Sequence, residues 1–209
     1  MAELDLQSLG ARAELMINTL GSISAEPNRM VRLFLTPAHR EAANLVARWM
    51  EDAGLKVSED ALGTVRGHLA GVGRKCLLIG SHIDTVIEAG IFDGPFGVIA
   101  GILAAGHFVK AGRKLPFGID VLAFGDEEGI RFDATLASST ACAGTFNMAT
   151  LQLADSEGVR RRAFEAKRSK SSDQGDRGDV AGITHFKVRR RFARRPGAAS
   201  VPPAGVAGR

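Results

Sequence analysis

Cysteine is scarce in this chain, whose 209 residues include two, Cys76 and Cys142, and no Cys-x-x-Cys pair. This scarcity argues against a disulfide framework and against a zinc site built from thiolates, and it fits a reducing cytoplasm. No uncharged apolar stretch approaches the roughly 20 residues that span a bilayer. The opening residues, MAELDLQSLG, also lack the basic start and apolar run of a signal peptide. We therefore expect a cytoplasmic protein with no membrane partner.

Basic residues are rare in the first part of the chain and abundant in the last. Residues 1–155 contain 13 Lys/Arg and 18 Asp/Glu, a net charge of −5, whereas residues 156–209 contain 14 and 5, a net charge of +9. The basic isoelectric point of the whole chain therefore reflects the composition of residues 156–209 alone. From residue 163 onward no period of 2 or 3.6 persists, which predicts a folded domain in residues 1–155 and a disordered, basic low-complexity tail in residues 156–209.

Apolar periodicity in residues 1–155 predicts an α/β fold. Thr36 offers a side-chain cap, Pro37 suits the first helical position, and Gly54 is placed to end that helix. The continuous apolar runs 75–81 and 117–124 are typical of buried strands. With the apolar helix between them they form a βαβ unit, so we expect a mainly parallel sheet covered by helices. Further elements are predicted at 7–20 (helix), 55–59 and 62–70 (strands) and 96–110 (the helix of the βαβ unit).

The first candidate site residues, His82 and Asp84, leave the strand 75–81 at its carboxyl end, where open parallel sheets bind ligands. A period of 2 places both side chains on one side of the chain. A carboxylate there can accept the second imidazole N–H and fix the tautomer that binds a metal. The alternative is a capping histidine followed by a turn aspartate.

Two further groups of carboxylates follow. Asp93 lies in a glycine-rich turn before the apolar helix, where it would either cap that helix or bridge two metal ions. Asp126, Glu127 and Glu128 come directly after the strand 117–124. Because neighbours in extended chain point opposite ways, one Glu can bind metal while the next faces the water to be deprotonated. The alternative for this group is an acidic loop.

Taken together, these groups contain the parts of a two-metal hydrolase, namely a histidine, a bridging aspartate, a glutamate ligand and an adjacent glutamate base. Nitrogen and oxygen ligands suit Zn²⁺, with Mn²⁺ as the alternative. The three remaining histidines of residues 1–155 lie in no ligand-like context, and we expect them at the surface or in the core. They are His39, His68 and His107.

The segments GSHIDTV, AGIFDGPFGVIAGI and FGDEEGIRF resemble the hydantoinase/carbamoylase branch of the M20-type amidohydrolases, over about residues 5–160. The resemblance implies the N-terminal part of a catalytic domain with two Zn²⁺ or Mn²⁺ ions. It implies a ureido or carbamoyl substrate and a family homodimer, although the inserted dimerisation domain is absent here. By this resemblance, the metal ligands are His82, the bridging Asp93 and Glu128; Glu127 is the general base, and Asp84 orients His82.

The chain departs from the family pattern in several places. The family usually has a glycine–serine pair where this chain has Leu136, Ala137, Ser138 and Ser139. It usually has Gly-Asn where this chain has Gly63-Thr64. The family's second His, in a His-Ile-Glu-Gln-Gly context, and its third have no match, because His185 lies in a different context. Family-like sequence stops near residue 159. A reading-frame shift in a GC-rich gene would explain this, and translation of the other two frames beyond codon 159 tests it.

Three functions therefore stand as expectations. The first is metal-dependent hydrolysis of a linear C–N amide, with allantoate as first substrate and an N-carbamoyl-L-amino acid as second. The second is an inactive fragment with the family fold, since few ligands hold the metals. The third is a nucleic-acid-binding basic tail, which we expect least because the tail has no zinc-finger spacing and no RNP-like aromatic motif.

Overall fold

The computed structural model describes residues 6–161, so most of the predicted tail, residues 156–209, lies outside the described residues. The described helices are α1 (Leu6–Gly21), α2 (Pro37–Asp52), α3 (Pro95–Lys110) and α4 (Ala137–Cys142), followed by a 3₁₀ turn at Met148–Gln152. The strands are β1 (Lys56–Glu59), β2 (Val65–Leu69), β3 (Cys76–His82) and β4 (Gly118–Phe124). Within residues 6–161 we find no helix with the length and apolarity needed to cross a membrane.

The four strands form one sheet in the order β1-β2-β4-β3. β3 and β4 are parallel, with Cys76 opposite Gly118 and His82 opposite Phe124, and α3 connects them. The α/β class and the βαβ unit are thus confirmed. β1 pairs with β2, and β2 with β4, in antiparallel fashion, so the described sheet is mixed where we expected it to be mainly parallel. The connection between β1 and β2 is short, and a short hairpin can join only antiparallel strands.

The start and end of α2 follow from its local sequence. The Thr36 hydroxyl accepts the backbone N–H of His39 at 3.2 Å, and Pro37 occupies the first turn, where a missing N–H leaves no hydrogen bond unmade. Gly54 follows the helix with a φ of +81°, the left-handed conformation that ends helices. These predictions are confirmed, and they set α2 against the sheet.

The core lies on one face of the sheet, beneath α1, α2 and α3. Ile119, Val121 and Ala123 of β4 enter it, and burial of the larger two, Ile119 and Val121, contributes about 1.5–3 kcal/mol each. Gly101 of α3 lets the helix approach closely, because a Cβ there would lie 3.0 Å from Ile79 and 3.1 Å from Val121. This packing fixes the height of α3, and so of the turn before it, above the sheet.

The two parallel strands differ in burial. β4 is buried up to its last residue, as predicted, whereas β3 is largely exposed, and Leu77 and Leu78 are 48% and 45% exposed. The prediction of a buried strand is therefore wrong for β3 within the described residues. The reason is its position, since β3 is the last strand of the described sheet and has one neighbour. An apolar run shows that a strand suits burial, but the elements packed around it decide whether burial occurs.

Candidate metal centre

His82 ends β3 at the rim of the sheet, with its side chain mostly buried. Its Nδ1 donates a hydrogen bond to the backbone carbonyl of Asp84 at 3.0 Å. This bond places a proton on Nδ1, so Nε2 is the nitrogen that can bind a metal. Gly94 passes close to the ring with a φ of +81°; a Cβ there would lie 2.6 Å from Cε1 of His82. Glycine is therefore required at this point of the turn.

Carboxylates from two different loops face Nε2 of His82. Oδ1 of Asp93 and Oε2 of Glu127 each lie 3.8 Å from this nitrogen. That separation is too long for a hydrogen bond. Two ligand atoms bound to one cation at about 2.0–2.2 Å can be no more than roughly 4 Å apart, so the separation suits a shared ion. Ligand atoms of His82, Glu127 and Glu128 also lie within 4.8 Å of one another. We refer to His82, Asp93, Glu127 and Glu128 as the rim cluster.

Asp93 does not cap α3. The residue at the N-cap position is Gly94, and it has no side-chain cap hydrogen bond. The Asp93 side chain is instead 76% exposed and lies beside His82. The capping alternative is therefore wrong, and the role of Asp93 as a metal ligand stays a prediction.

Asp84 holds the rim cluster together in a way that sequence did not predict. Its carboxylate lies beside His82, with Oδ1 3.5 Å from Nδ1, and its carbonyl makes the shorter contact, so an orienting role for Asp84 stays a prediction. The carboxylate also accepts the backbone N–H groups of Glu127 and Glu128, at 3.2 and 3.1 Å. Burial alone would raise the pKa of Asp84, but these bonds and the neighbouring His82 outweigh it and lower that pKa. Asp84 thus joins the end of β3 to the loop after β4.

The loop after β4 is not extended, so its two glutamates do not diverge as the sequence led us to expect. Asp126 has a φ of +60°, and this turn brings both Glu127 and Glu128 to the rim cluster. Asp126 itself points into the protein, where it accepts a hydrogen bond from Arg161. Burial raises the pKa of Asp126, and the Arg161 guanidinium opposes that rise. The sequence contained no signal for this inward orientation, because three consecutive carboxylates resemble one another.

Known proteins resemble the chain along most of its length. This chain is 41% identical to "Allantoate deiminase 2" of Glycine max over 162 residues, which are 76% of this chain and 34% of that protein. It is 39% identical to the N-carbamoyl-L-amino acid amidohydrolase of Geobacillus stearothermophilus over 72% of this chain and 37% of that protein. The crystal structure of a hydantoinase/carbamoylase family amidase from Burkholderia ambifaria superposes with a TM-score of 0.71 at 32% identity, covering 77% of this chain and 40% of that one.

This chain belongs to the hydantoinase/carbamoylase family of amidohydrolases. It spans about a third of the length of the curated relatives that it matches. No protein-family model matches the chain.

The electrostatics of the rim cluster in this family member favour a positive charge. Burial alone would lower the pKa of His82, but hydrogen bonds and the charge of Asp84, together with that of Glu127, raise it to about 9. Burial and the neighbouring carboxylates also raise the pKa of Glu128, against the effect of His82. A donor set of one imidazole and several carboxylates therefore fits a divalent cation in both charge and ligand chemistry.

The other histidines lie away from the rim cluster. His39 is buried, and the core is one of the two locations that we expected for it. Its ring packs edge-on against Phe34, with ring centroids 5.3 Å apart. His107 lies in the last turn of α3 beside Phe108. His68 departs from the expectation, because it pairs with Asp120 on the sheet. His185 lies outside the described residues.

Proposed function

We propose that this chain supplies the rim cluster to a two-metal centre that hydrolyses a linear C–N amide in a ureido or carbamoyl compound, with release of ammonia. The observation that carries the proposal is the Nε2 atom of His82, which faces Asp93 and Glu127 at 3.8 Å each. Relatives named as an allantoate deiminase and an N-carbamoyl-L-amino acid amidohydrolase support the reaction class.

Each residue has a proposed role. His82 and Glu128 would each hold one of the two metal ions, and Asp93 would be shared between them. When bound, the ions acidify a water molecule and polarise the scissile carbonyl. Glu127 takes a proton from the attacking water and delivers it to the leaving nitrogen as the C–N bond breaks. Asp84 is a positioning residue, since it holds the backbone of Glu127 and Glu128.

The proposed ions are Zn²⁺ or Mn²⁺. Imidazole and carboxylate ligands bind both, and a set without sulfur gives no preference for a softer metal. The described residues contribute one histidine to the rim cluster, so further ligands must come from elsewhere in the complete centre. For that reason we expect weak activity, or none, from this chain alone.

We propose allantoate as the first substrate, because the plant relatives at 40–41% identity are named as allantoate deiminases. An N-carbamoyl-L-amino acid is the second candidate, supported by relatives of that name at 34–39% identity. Ammonia release from both compounds, with added Zn²⁺ or Mn²⁺, separates these candidates.

The decisive measurement is the metal content of the purified chain, because it does not depend on turnover. We expect near-stoichiometric Zn²⁺ or Mn²⁺ at the rim cluster of the wild type and the loss of that ion in His82→Ala. The matched control is His107→Ala, which removes a half-buried histidine outside the rim cluster and should retain the metal. A wild type that binds neither ion, or a His82→Ala variant with unchanged content, contradicts the proposal and favours an inactive fragment.

We also propose a cytoplasmic location and a small-molecule partner. The location rests on two free cysteines, Cys76 and Cys142, which suit a reducing compartment. A homodimer is expected from the family resemblance, and sedimentation of the purified chain measures it. Nucleic-acid binding by the tail is tested by salt-dependent retention on heparin with and without residues 156–209, and we expect this deletion to leave the metal content unchanged.

A further inference from the structure

A second group of potential metal ligands lies on the sheet itself. His68 of β2 is directly opposite Asp120 of β4, and Cys76 begins β3 on the other side of β4, opposite Gly118. By the alternation of side chains, these three lie on the face opposite Ile119 and Val121, away from the helix-covered core. Their ligand atoms lie within 4.8 Å of one another. We refer to His68, Cys76 and Asp120 as the sheet-face cluster.

The contacts of Asp120 prepare it as a ligand. Its carboxylate is 8% exposed, and its Oδ2 accepts a hydrogen bond from Arg66 at 2.8 Å. Its other oxygen, Oδ1, lies 2.7 Å from Nδ1 of His68. Arg66 therefore keeps the carboxylate ionised and fixes its rotation, so that one oxygen is directed at the imidazole.

Gly118 keeps the space between the ligands open. A Cβ at this position would lie 3.4 Å from Sγ of Cys76 and 3.4 Å from Cε1 of His68. A larger side chain would therefore occupy the region where the thiol and the imidazole meet. Cys76 has no disulfide partner, so its sulfur is available to bind a metal.

We propose that the sheet-face cluster binds one divalent transition-metal ion through His68, Cys76 and Asp120. An imidazole nitrogen, a thiolate and a carboxylate oxygen form a ligand set that Zn²⁺ and Co²⁺ accept, with solvent as a fourth ligand. On binding, the thiol releases its proton to solvent, and the proton that Nδ1 of His68 shares with Oδ1 of Asp120 moves to Nε2 of the imidazole. The thiolate and Asp120 carry two negative charges beside the ion, against the single positive charge of Arg66.

This site is separate from the rim cluster. Cys76 and His82 are at opposite ends of β3, and six residues of extended chain span about 20 Å. The rim cluster contains no sulfur, whereas the sheet-face cluster contains Cys76. The two sites therefore differ in a spectroscopic property, and the proposal does not rest on the hydrolase function.

Cobalt provides the test. The full chain is stripped with a chelator and titrated with Co²⁺ alone while absorption is recorded. We expect an intense sulfur-to-cobalt charge-transfer band whose final intensity corresponds to one thiolate-bound ion per chain, beside any Co²⁺ that the rim cluster takes up. The band should disappear in Cys76→Ser and persist in Cys142→Ser, which removes the other cysteine, and in His82→Ala. Because Cys76 is exposed, its replacement by serine should leave the fold intact, and circular dichroism checks this.

Two more variants test the remaining ligands. Substitution of residues that merely support ligands lowers metal affinity about 10–100-fold, so His68→Gln and Asp120→Asn should each weaken Co²⁺ binding at least tenfold by band intensity. The proposal is overturned if the wild type shows no such band, or if folded Cys76→Ser shows the same band. Either result would leave the metal content of the rim cluster, and so the proposed function, untouched.

Discussion

The rim cluster and the sheet-face cluster occupy two positions on the same sheet and are built in different ways. The rim cluster takes His82 from a strand end and its carboxylates from the turns before α3 and after β4. The sheet-face cluster takes all three of its residues from strands, where backbone pairing sets their separation. Loop residues need an additional anchor, which Asp84 provides at the rim. Strand residues are positioned by register alone.

This difference explains why one cluster is visible in sequence and the other is not. The rim residues occur in short motifs at strand ends, where chemistry concentrates in open sheets. His68, Cys76 and Asp120 are isolated along the chain, each inside a strand, and they meet only through the order β2-β4-β3. The comparison leads to four predictions, given from the largest expected effect to the smallest.

The largest effect is expected when both clusters are disabled together. His82→Ala should remove the bound cobalt that lacks sulfur absorption, and Cys76→Ser should remove the sulfur-to-cobalt band. The double variant should retain neither, and the two losses should add, because sites separated by more than about 10 Å are usually independent. Equilibrium dialysis with absorption spectra measures both. Loss of the sulfur-to-cobalt band in the single variant His82→Ala would show that the two clusters are coupled, which would contradict this prediction.

The next effect separates the two glutamates of the rim. Glu128→Gln should lower metal affinity about 10–100-fold or more, because a proposed ligand is lost. Glu127→Gln should change metal affinity much less, because its proposed role is proton transfer. Calorimetric titration with Zn²⁺ compares the two variants under identical conditions. A larger loss in Glu127→Gln would reverse the assigned roles.

Asp84→Asn tests the anchor of the rim cluster. In the wild type, the two carboxylate oxygens each accept one backbone N–H group. The amide of asparagine keeps only one of these acceptors and turns an N–H₂ group toward the other N–H. A buried donor left without an acceptor costs about 1–3 kcal/mol. We expect a fall of that size in the free energy of unfolding, measured with denaturant, and about tenfold weaker metal binding. The control is Asp133→Asn at an exposed position. Unchanged stability would show that Asp84 does not hold the loop.

The smallest effect concerns a histidine in neither cluster. Burial lowers the pKa of His39 from 6.5 to about 4. Below pH 6.5 the unfolded chain binds a proton at this position that the folded chain does not, so stability falls as pH falls toward 4. We expect the wild type to lose about 1 kcal/mol between pH 6.5 and 5.5 relative to His39→Gln. Denaturant unfolding at several pH values measures this difference, and His107→Gln should behave as the wild type does.

Local signals predicted much of the fold. The cap at Thr36, the helix end at Gly54 and the βαβ unit all follow from interactions between residues close in sequence. The exposure of β3 did not follow, because the same apolar run suits a strand with two neighbours or with one. The left-handed turn at Asp126 was also missed, since neighbouring acidic residues give no indication of which one turns inward.

The amino-acid sequence by itself determined the α/β class, the strand ends and the residue types that reach the rim, because propensity, periodicity and capping act over a few residues. Only the tertiary structure decided that Asp84 binds a backbone 43 residues away and that Cys76 meets His68 and Asp120. Strand order and register bring distant residues together, and these depend on how the whole chain packs. The sequence pattern of one segment does not indicate which other segment will pack beside it.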